Sequence, residues 1–123
     1  MKKLIIGIVI GLIMASCQGN NDSATPAPPQ QGLTMFHIHC SDFATYSDNM
    51  ETPVIRFDVC YSAFPDYNRG TCFDVGLKRD VPLTFLPGDG IWYLWAIEYD
   101  SRGNSAPSNM VTDKVEGGVI TQL

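Results

Sequence analysis

Helical periodicity is the first thing missing from this 123-residue chain. No window repeats apolar residues at three- and four-residue spacing for long enough to bury one face of a helix. No stretch repeats at a fixed period either, which excludes solenoids and propellers. Long apolar runs are also absent: Leu4 to Met14, interrupted only by Gly7 and Gly11, falls short of the roughly 17 to 25 residues a spanning helix needs. Positive charge is scarce, with 8 Lys and Arg against 13 Asp and Glu and a net charge of −5. That balance excludes nucleic-acid phosphates as partners and adhesion to anionic lipid by charge. Catalytic signatures are missing as well. There is no Gly-x-Ser-x-Gly, Cys-x-x-Cys or His-Glu-x-x-His, and neither of the two histidines lies beside a nucleophile motif. Asp66, Asp74, Asp80 and Asp89 fall in or near turns, where aspartate is ordinarily present for backbone reasons. The chain therefore reads as a non-enzyme.

The N-terminus has signal-peptide grammar: Lys2 and Lys3, the apolar run, then small Ala15 and Ser16 before Cys17. Met14-Ala15-Ser16-Cys17 resembles the lipobox of bacterial lipoproteins, with Met where Leu is usual. The resemblance implies cleavage before Cys17, a covalent lipid on its thiol, and attachment to the cell envelope through that lipid. Several acyl chains give stable anchoring where one is marginal. Gln18, in a position where Asp favours inner-membrane retention, implies the outer membrane if the host has two. Losing residues 1–16 removes Lys2 and Lys3 and leaves six basic against thirteen acidic residues, a net of −7. Residues 17–31 then form the lipidated cysteine and a polar, Pro-rich tether, able to hold the remainder a few tens of Å off the membrane at about 3.1 Å per extended residue. Residues 32–123 make one small domain.

Alternation dominates that domain. Leu33 to Cys40 reads as a strand with Phe36, Ile38 and Cys40 on the core face and Met35, His37 and His39 opposite. Val54 to Tyr61 alternates too, placing Ile55, Phe57, Val59 and Tyr61 together and Arg56, Asp58 and Cys60 on the other side. Phe64 to Gly70 supplies turn chemistry, after which Thr71 to Leu77 returns as a hairpin partner. Val81 to Leu86 is a further short strand, and Pro87-Gly88-Asp89-Gly90 a tight corner. Ile91 to Tyr99 is nearly continuous in large apolar and aromatic residues, as in a central strand covered on both faces. Asn109 to Val115 is the last strand. Short strands at this spacing predict an all-β fold, an antiparallel sandwich of about seven strands.

Leu86 to Asn109 combines a Pro-Gly corner, an aromatic, an apolar strand, an acidic residue, Gly-Asn and a Ser-rich exit. It resembles the E-F corner, F strand and F-G loop of fibronectin type III domains, especially bacterial ones. Ile55 to Tyr61 is similar to the C strand, and the Pro-rich lead-in with Leu33 to Cys40 to strands A and B. The resemblance implies a fibronectin type III/immunoglobulin-like sandwich. This chain departs from it in lacking the B-strand tryptophan, with His39 or Cys40 near its place. Trp92 stands where the family has its corner tyrosine, with Tyr93 as substitute if the register slips. Glu98 occupies a usually small apolar position, so it is expected near an edge or paired with Arg or Lys.

With Cys17 reserved for lipid, three cysteines remain. Cys60 faces outward on its strand and the following hairpin returns Cys72 alongside it, so Cys60 to Cys72 is the expected disulfide, leaving Cys40 single and buried. The competing pair is Cys40 with Cys60. Met35, His37 and His39 share one strand face within reach of a soft or borderline metal such as copper, and Cys40 follows them. A periplasmic metal or redox factor is accordingly the alternative function. Phe43, Tyr46, Phe64 and Tyr67 fall in predicted loops, where aromatics serve sugar stacking or protein contact. The leading expectation is an envelope lipoprotein without cofactor beyond its lipid, displaying a β-sandwich for contact with an envelope protein or polysaccharide.

Overall fold

The computed structural model describes residues 13–14, 17–21, 32–46 and 50–123. The remainder of the predicted signal peptide (1–12 and 15–16) and of the predicted tether (22–31) lies outside them.

Two long strands organise the fold. β5 (Glu51–Ser62) and β8 (Gly90–Asp100) pair antiparallel from Val54↔Asp100 to Ser62↔Tyr93. Along its other edge β5 takes β4 (Phe43–Tyr46) at its start and β6 (Thr71–Gly76) at its end. β8 does the same with β9 (Ser105–Pro107) and β10 (Val111–Glu116). β1 (Ile13–Met14) extends this sheet beyond β4, and β11 (Val119–Gln122) extends it beyond β10. The second sheet has three strands in the order β2 (Cys17–Asn21), β3 (Met35–Cys40) and β7 (Asp80–Pro82). The domain is an all-β antiparallel sandwich, as the alternation predicts, and is consistent with the immunoglobulin-like kind that the resemblance implies.

The core lies between the sheets. Phe36 and Ile38 from β3 and Val81 from β7 meet Phe57 and Val59 from β5, Leu94 and Ala96 from β8, and Val111 from β10, all buried. Glycine lets β2 join them: a Cβ on Gly19 would lie 2.4 Å from Cζ of Phe36. The side-chain amide of Asn109 then ties the two sheets together. It accepts from Gly19 N at 2.9 Å and donates to Gly19 O at 3.1 Å, completing backbone groups that no strand reaches. At the corner after β7, Trp92 Nε1 donates to Gly88 O at 2.8 Å, so the indole makes the backbone tie expected of a corner phenol.

Several expectations are corrected. Ile55 is 51% exposed and Val54 takes the core position, because the β5–β8 register shifts between Val54 and Arg56. A bulge inserts one residue and turns the side chains before it to the opposite face. Cys17–Asn21 is a strand of the small sheet where a tether was expected. Val81 to Leu86 keeps strand pairing only to Pro82, then makes a 3-10 turn over Leu83–Phe85. Glu98 is fully buried and paired on both sides, to Phe57 and Ala106, so it is not at an edge. The β10–β11 hairpin was missed; its turn is Gly117-Gly118, both at positive φ (58 and 82).

β8 is buried along its inner face, but on its outer face only Trp95 is fully covered, with Tyr93, Ile97 and Tyr99 half-buried and Ile91 exposed, so the expected double cover is partial. Trp95 faces away from the main core yet is fully buried, opposite Cys60 in register and beneath the segment joining β5 to β6. Gly70 passes so close that a Cβ there would lie 2.5 Å and 2.6 Å from the indole atoms Cη2 and Cζ2. Its φ of −99 is accessible to any residue, so a substitution acts only through packing. Gly70→Ala is expected to destabilise the domain by about 1–3 kcal/mol, the cost of overpacking. A urea midpoint unchanged from wild type would show that the loop does not press on Trp95.

Candidate functional site

The segment from Ser62 to Gly70 is the candidate contact site. Cys60 and Cys72 are directly opposed across β5 and β6 and bonded to each other, as expected. The bridge closes a loop whose interior is itself hydrogen-bonded. Ser62 Oγ accepts from Phe64 N at 2.9 Å and donates to Arg69 O at 2.9 Å. Asp66 Oδ1 caps the 3-10 turn Tyr67–Arg69 by accepting from Asn68 N at 2.9 Å. Tyr67 lays its ring edge-on against Trp95, with centroids 5.2 Å apart, and its hydroxyl donates to Ser108 O at 2.9 Å on the far side of β8. One side chain thus straps the loop across the sheet.

This bracing leaves apolar surface in water. Phe64 is 45% exposed and Tyr67 46% exposed, and the Arg69 guanidinium stacks over the Phe64 ring at 3.6 Å. Aromatic and arginine side chains held in place before contact lose little entropy on binding, which makes them effective anchors.

The other two aromatics predicted for contact sit at the opposite end of the sandwich, in strand β4. Phe43 is 49% exposed, whereas Tyr46 is buried and belongs to the core. Its hydroxyl donates to the Asp100 carboxylate and accepts from Asn104 Nδ2 at 2.6 Å. Thr52 Oγ1 donates to the same carboxylate at 2.8 Å, and the N–H groups of Arg102 and Asn104 add 3.0 Å and 2.9 Å bonds to its other oxygen. Burial opposes the charge on Asp100, but the donors from Tyr46, Thr52, Asn104 and Arg102 outweigh it and hold the carboxyl below the ordinary aspartate value. Tyr46 is therefore an anchor of the loop after β8 and not a contact residue.

Met35 and His37 are half-buried and His39 exposed along one face of β3, with the two imidazole centroids 6.1 Å apart. The Asp80 carboxylate contacts His37 Nδ1, which the sequence did not anticipate. Asp74 lies within β6 and accepts from Gly76 N at 2.7 Å, and Asp89, in the corner before β8, accepts from Gly117 N, so both serve the backbone. Among the described residues no group of three or more His, Cys, Asp or Glu is arranged to hold a metal ion. Cys40 is not single: it is disulfide-bonded, and in the β2–β3 register it lies opposite Cys17.

A second cluster escaped the sequence reading. Arg56 stacks over the Tyr99 ring at 3.9 Å, and Tyr99 donates to Asp58 Oδ2 at 3.0 Å, on the outward face of β5 and β8. Burial, then the bond to Asp58, raises the Tyr99 phenol above its ordinary value. The alternation of Arg56 and Asp58 on one strand face was the available signal. Comparison of the chain with protein-family models, curated proteins and solved structures finds no match.

The pH dependence of Asp100 follows from its depressed folded pKa. Its stabilisation is present in full above the ordinary value of 3.8 and is lost as pH falls through the lower folded value. Asp100→Asn is expected to cost about 2 kcal/mol at neutral pH, the scale of bonds to a buried charge. Urea midpoints should show the gap from wild type narrowing below about pH 4. A gap that stays constant into strong acid would mean that the carboxylate charge is not what the network stabilises.

Proposed function

We propose that this chain is a lipid-anchored envelope protein, acylated at Cys17, that displays a non-enzymatic fibronectin type III-like sandwich for contact with an envelope protein or polysaccharide. The observation that carries the contact reading is the braced loop. Phe64, Tyr67 and Arg69 are held exposed by a disulfide, a capped turn and the Tyr67 strap, where a loop serving only connection would need none of the three. The Trp92 tie at the corner before β8 supports the fibronectin type III comparison, because it does with an indole what that family does with a phenol. The anchor reading rests on the lipobox-like residues before Cys17.

Acylation converts the Cys17 thiol to a thioether, which leaves no sulfur there for a disulfide. The opposition of Cys17 and Cys40 therefore makes the chemical state of Cys17 the deciding observable. Intact mass and peptide mapping of the protein from its native host should find Cys17 as an acylated N-terminus. Cys17 recovered in a disulfide with Cys40 would overturn the anchor. For the contact loop, a photo-cross-linking amino acid at Phe64 should give one reproducible adduct in cells, identified as protein or carbohydrate by mass. Position 55, equally exposed elsewhere, is the control. Adducts no more frequent at position 64 than at position 55 would remove the loop from the contact surface.

The contact of Asp80 with His37 favours one second reading, a copper-binding face, since a carboxylate on one imidazole nitrogen orients the ring as it does beside bound metals. Copper titration should then show submicromolar binding that His37→Ala/His39→Ala abolishes. Equal binding by wild type and variant would end that reading.

A further inference from the structure

Arginine stacks on aromatic rings at several places in this domain, and the use of the guanidinium fork differs among them. Stacking takes up the face of the group and leaves its in-plane N–H donors for an acceptor. Arg56, over Tyr99, places its Nε 3.5 Å from Asp58 and 3.8 Å from Asp74. Arg79, 5.1 Å from the Phe57 ring, donates to Cys40 O and to Asp42, each at 2.9 Å. Arg69 makes the closest stack, 3.6 Å over Phe64, and is exposed. Among the described residues it forms no ion pair, and Asp66, its neighbour on the turn, is engaged with Asn68 N. Arg102, 4.6 Å over Tyr46, also forms none among them, but that ring is buried, so the stack offers no apolar surface.

The Arg69–Phe64 pair is also fixed from beneath. One hydroxyl, Ser62 Oγ, accepts from Phe64 N and donates to Arg69 O, both at 2.9 Å, so it sets the two residues against each other through their backbones. A separation of 3.6 Å is one van der Waals thickness, so guanidinium and ring lie face to face; an edge-on group would drive a nitrogen into the ring. The fork is therefore held in one plane, beside an apolar ring, before anything binds. A planar fork matches a carboxylate through two parallel bonds, which a point charge such as lysine cannot reproduce.

Charge and ring geometry decide what carries that carboxylate. The guanidinium covers one face of Phe64, which removes ring surface that a sugar would stack on. An acidic polysaccharide would bring a charge with every repeat against a chain of net charge −5, whereas a protein can present one carboxylate among apolar side chains. Tyr67, 46% exposed, adds to the apolar surface for such a contact. We propose that the loop recognises a partner protein through one aspartate or glutamate held bidentate by Arg69, with apolar side chains of the partner against Phe64 and Tyr67. This rests on the contact reading of the loop given above and names its partner.

The test places p-benzoylphenylalanine at Asn68, exposed beside the pair, in the full chain produced in its native host. Irradiated cells should yield a protein adduct whose cross-linked peptide carries Asp or Glu. Arg69→Lys and Arg69→Gln should each lower that adduct about tenfold or more, the scale of a lost bond between charged groups. Changing the partner's carboxylate to its amide should lower it equally, and this arm does not depend on how the loop tolerates substitution. An adduct unchanged by the amide, or retained in full by Arg69→Lys, overturns the bidentate carboxylate and leaves the contact reading standing. A carbohydrate adduct does the same. No adduct above that from position 55 overturns the contact reading, and the carboxylate site falls with it.

Discussion

The constraint on which this domain depends is that β8 must be dry along its inner face and also at Trp95 on its outer face. Its inner face supplies Leu94 and Ala96 to the core, which the three-stranded sheet covers. Its outer face carries Trp95, which a two-layer sandwich would leave in water. The chain meets this requirement with the segment from Ser62 to Gly70, folded back over the indole and fixed at its base by Cys60 and Cys72. A loop that seals a tryptophan must be ordered, and an ordered loop holds its own exposed residues still. Phe64 and Arg69 are presented in one geometry because Tyr67 and Gly70 are needed beneath them. Packing and presentation are thus two results of one cover.

The same economy appears at the other end, where a buried carboxylate replaces apolar packing. Asp100 gathers a phenol, a hydroxyl and two backbone amides, and so fixes β4 against the loop after β8. A fully satisfied polar network of this sort specifies one arrangement, where apolar contacts would allow several. Asn109 acts similarly between the sheets, matching both backbone groups of Gly19 with one amide.

The parts of this arrangement legible in the sequence were those set by periodicity two. Phe36 and Ile38 on one face of β3, the buried inner face of β8, and the opposition of Cys60 and Cys72 all follow from alternation and one hairpin. What alternation could not reveal depends on partners distant in sequence. Ile55 leaves the core because of a register shift against β8, and nothing in Val54-Ile55-Arg56 announces a bulge. Gln18 to Asn21 have no alternation at all; they form a strand because β3 offers an unpaired edge and Gly19 fits over Phe36. Tyr46 reads as a loop aromatic until Asp100, 54 residues away, is placed against its hydroxyl. The candidate site was legible in half: Phe64 and Tyr67 stand out in the sequence, but the strap to Ser108 and the Arg69 stack do not. Gly117-Gly118 is a different case, since the pair between two apolar runs was a usable hairpin signal.

The covering loop also makes the domain's local order depend on the redox state of its surroundings. Cys60 and Cys72 bond only where thiols are oxidised; in a reducing compartment the hairpin base is held by strand pairing alone. Without the bridge the loop regains the conformational freedom that a closed ring of this length denies it, and the strap from Tyr67 to Ser108 must then be formed against that entropy. The fixed geometry of Phe64 and Arg69 is accordingly conditional on oxidation of the two thiols at the base of the hairpin.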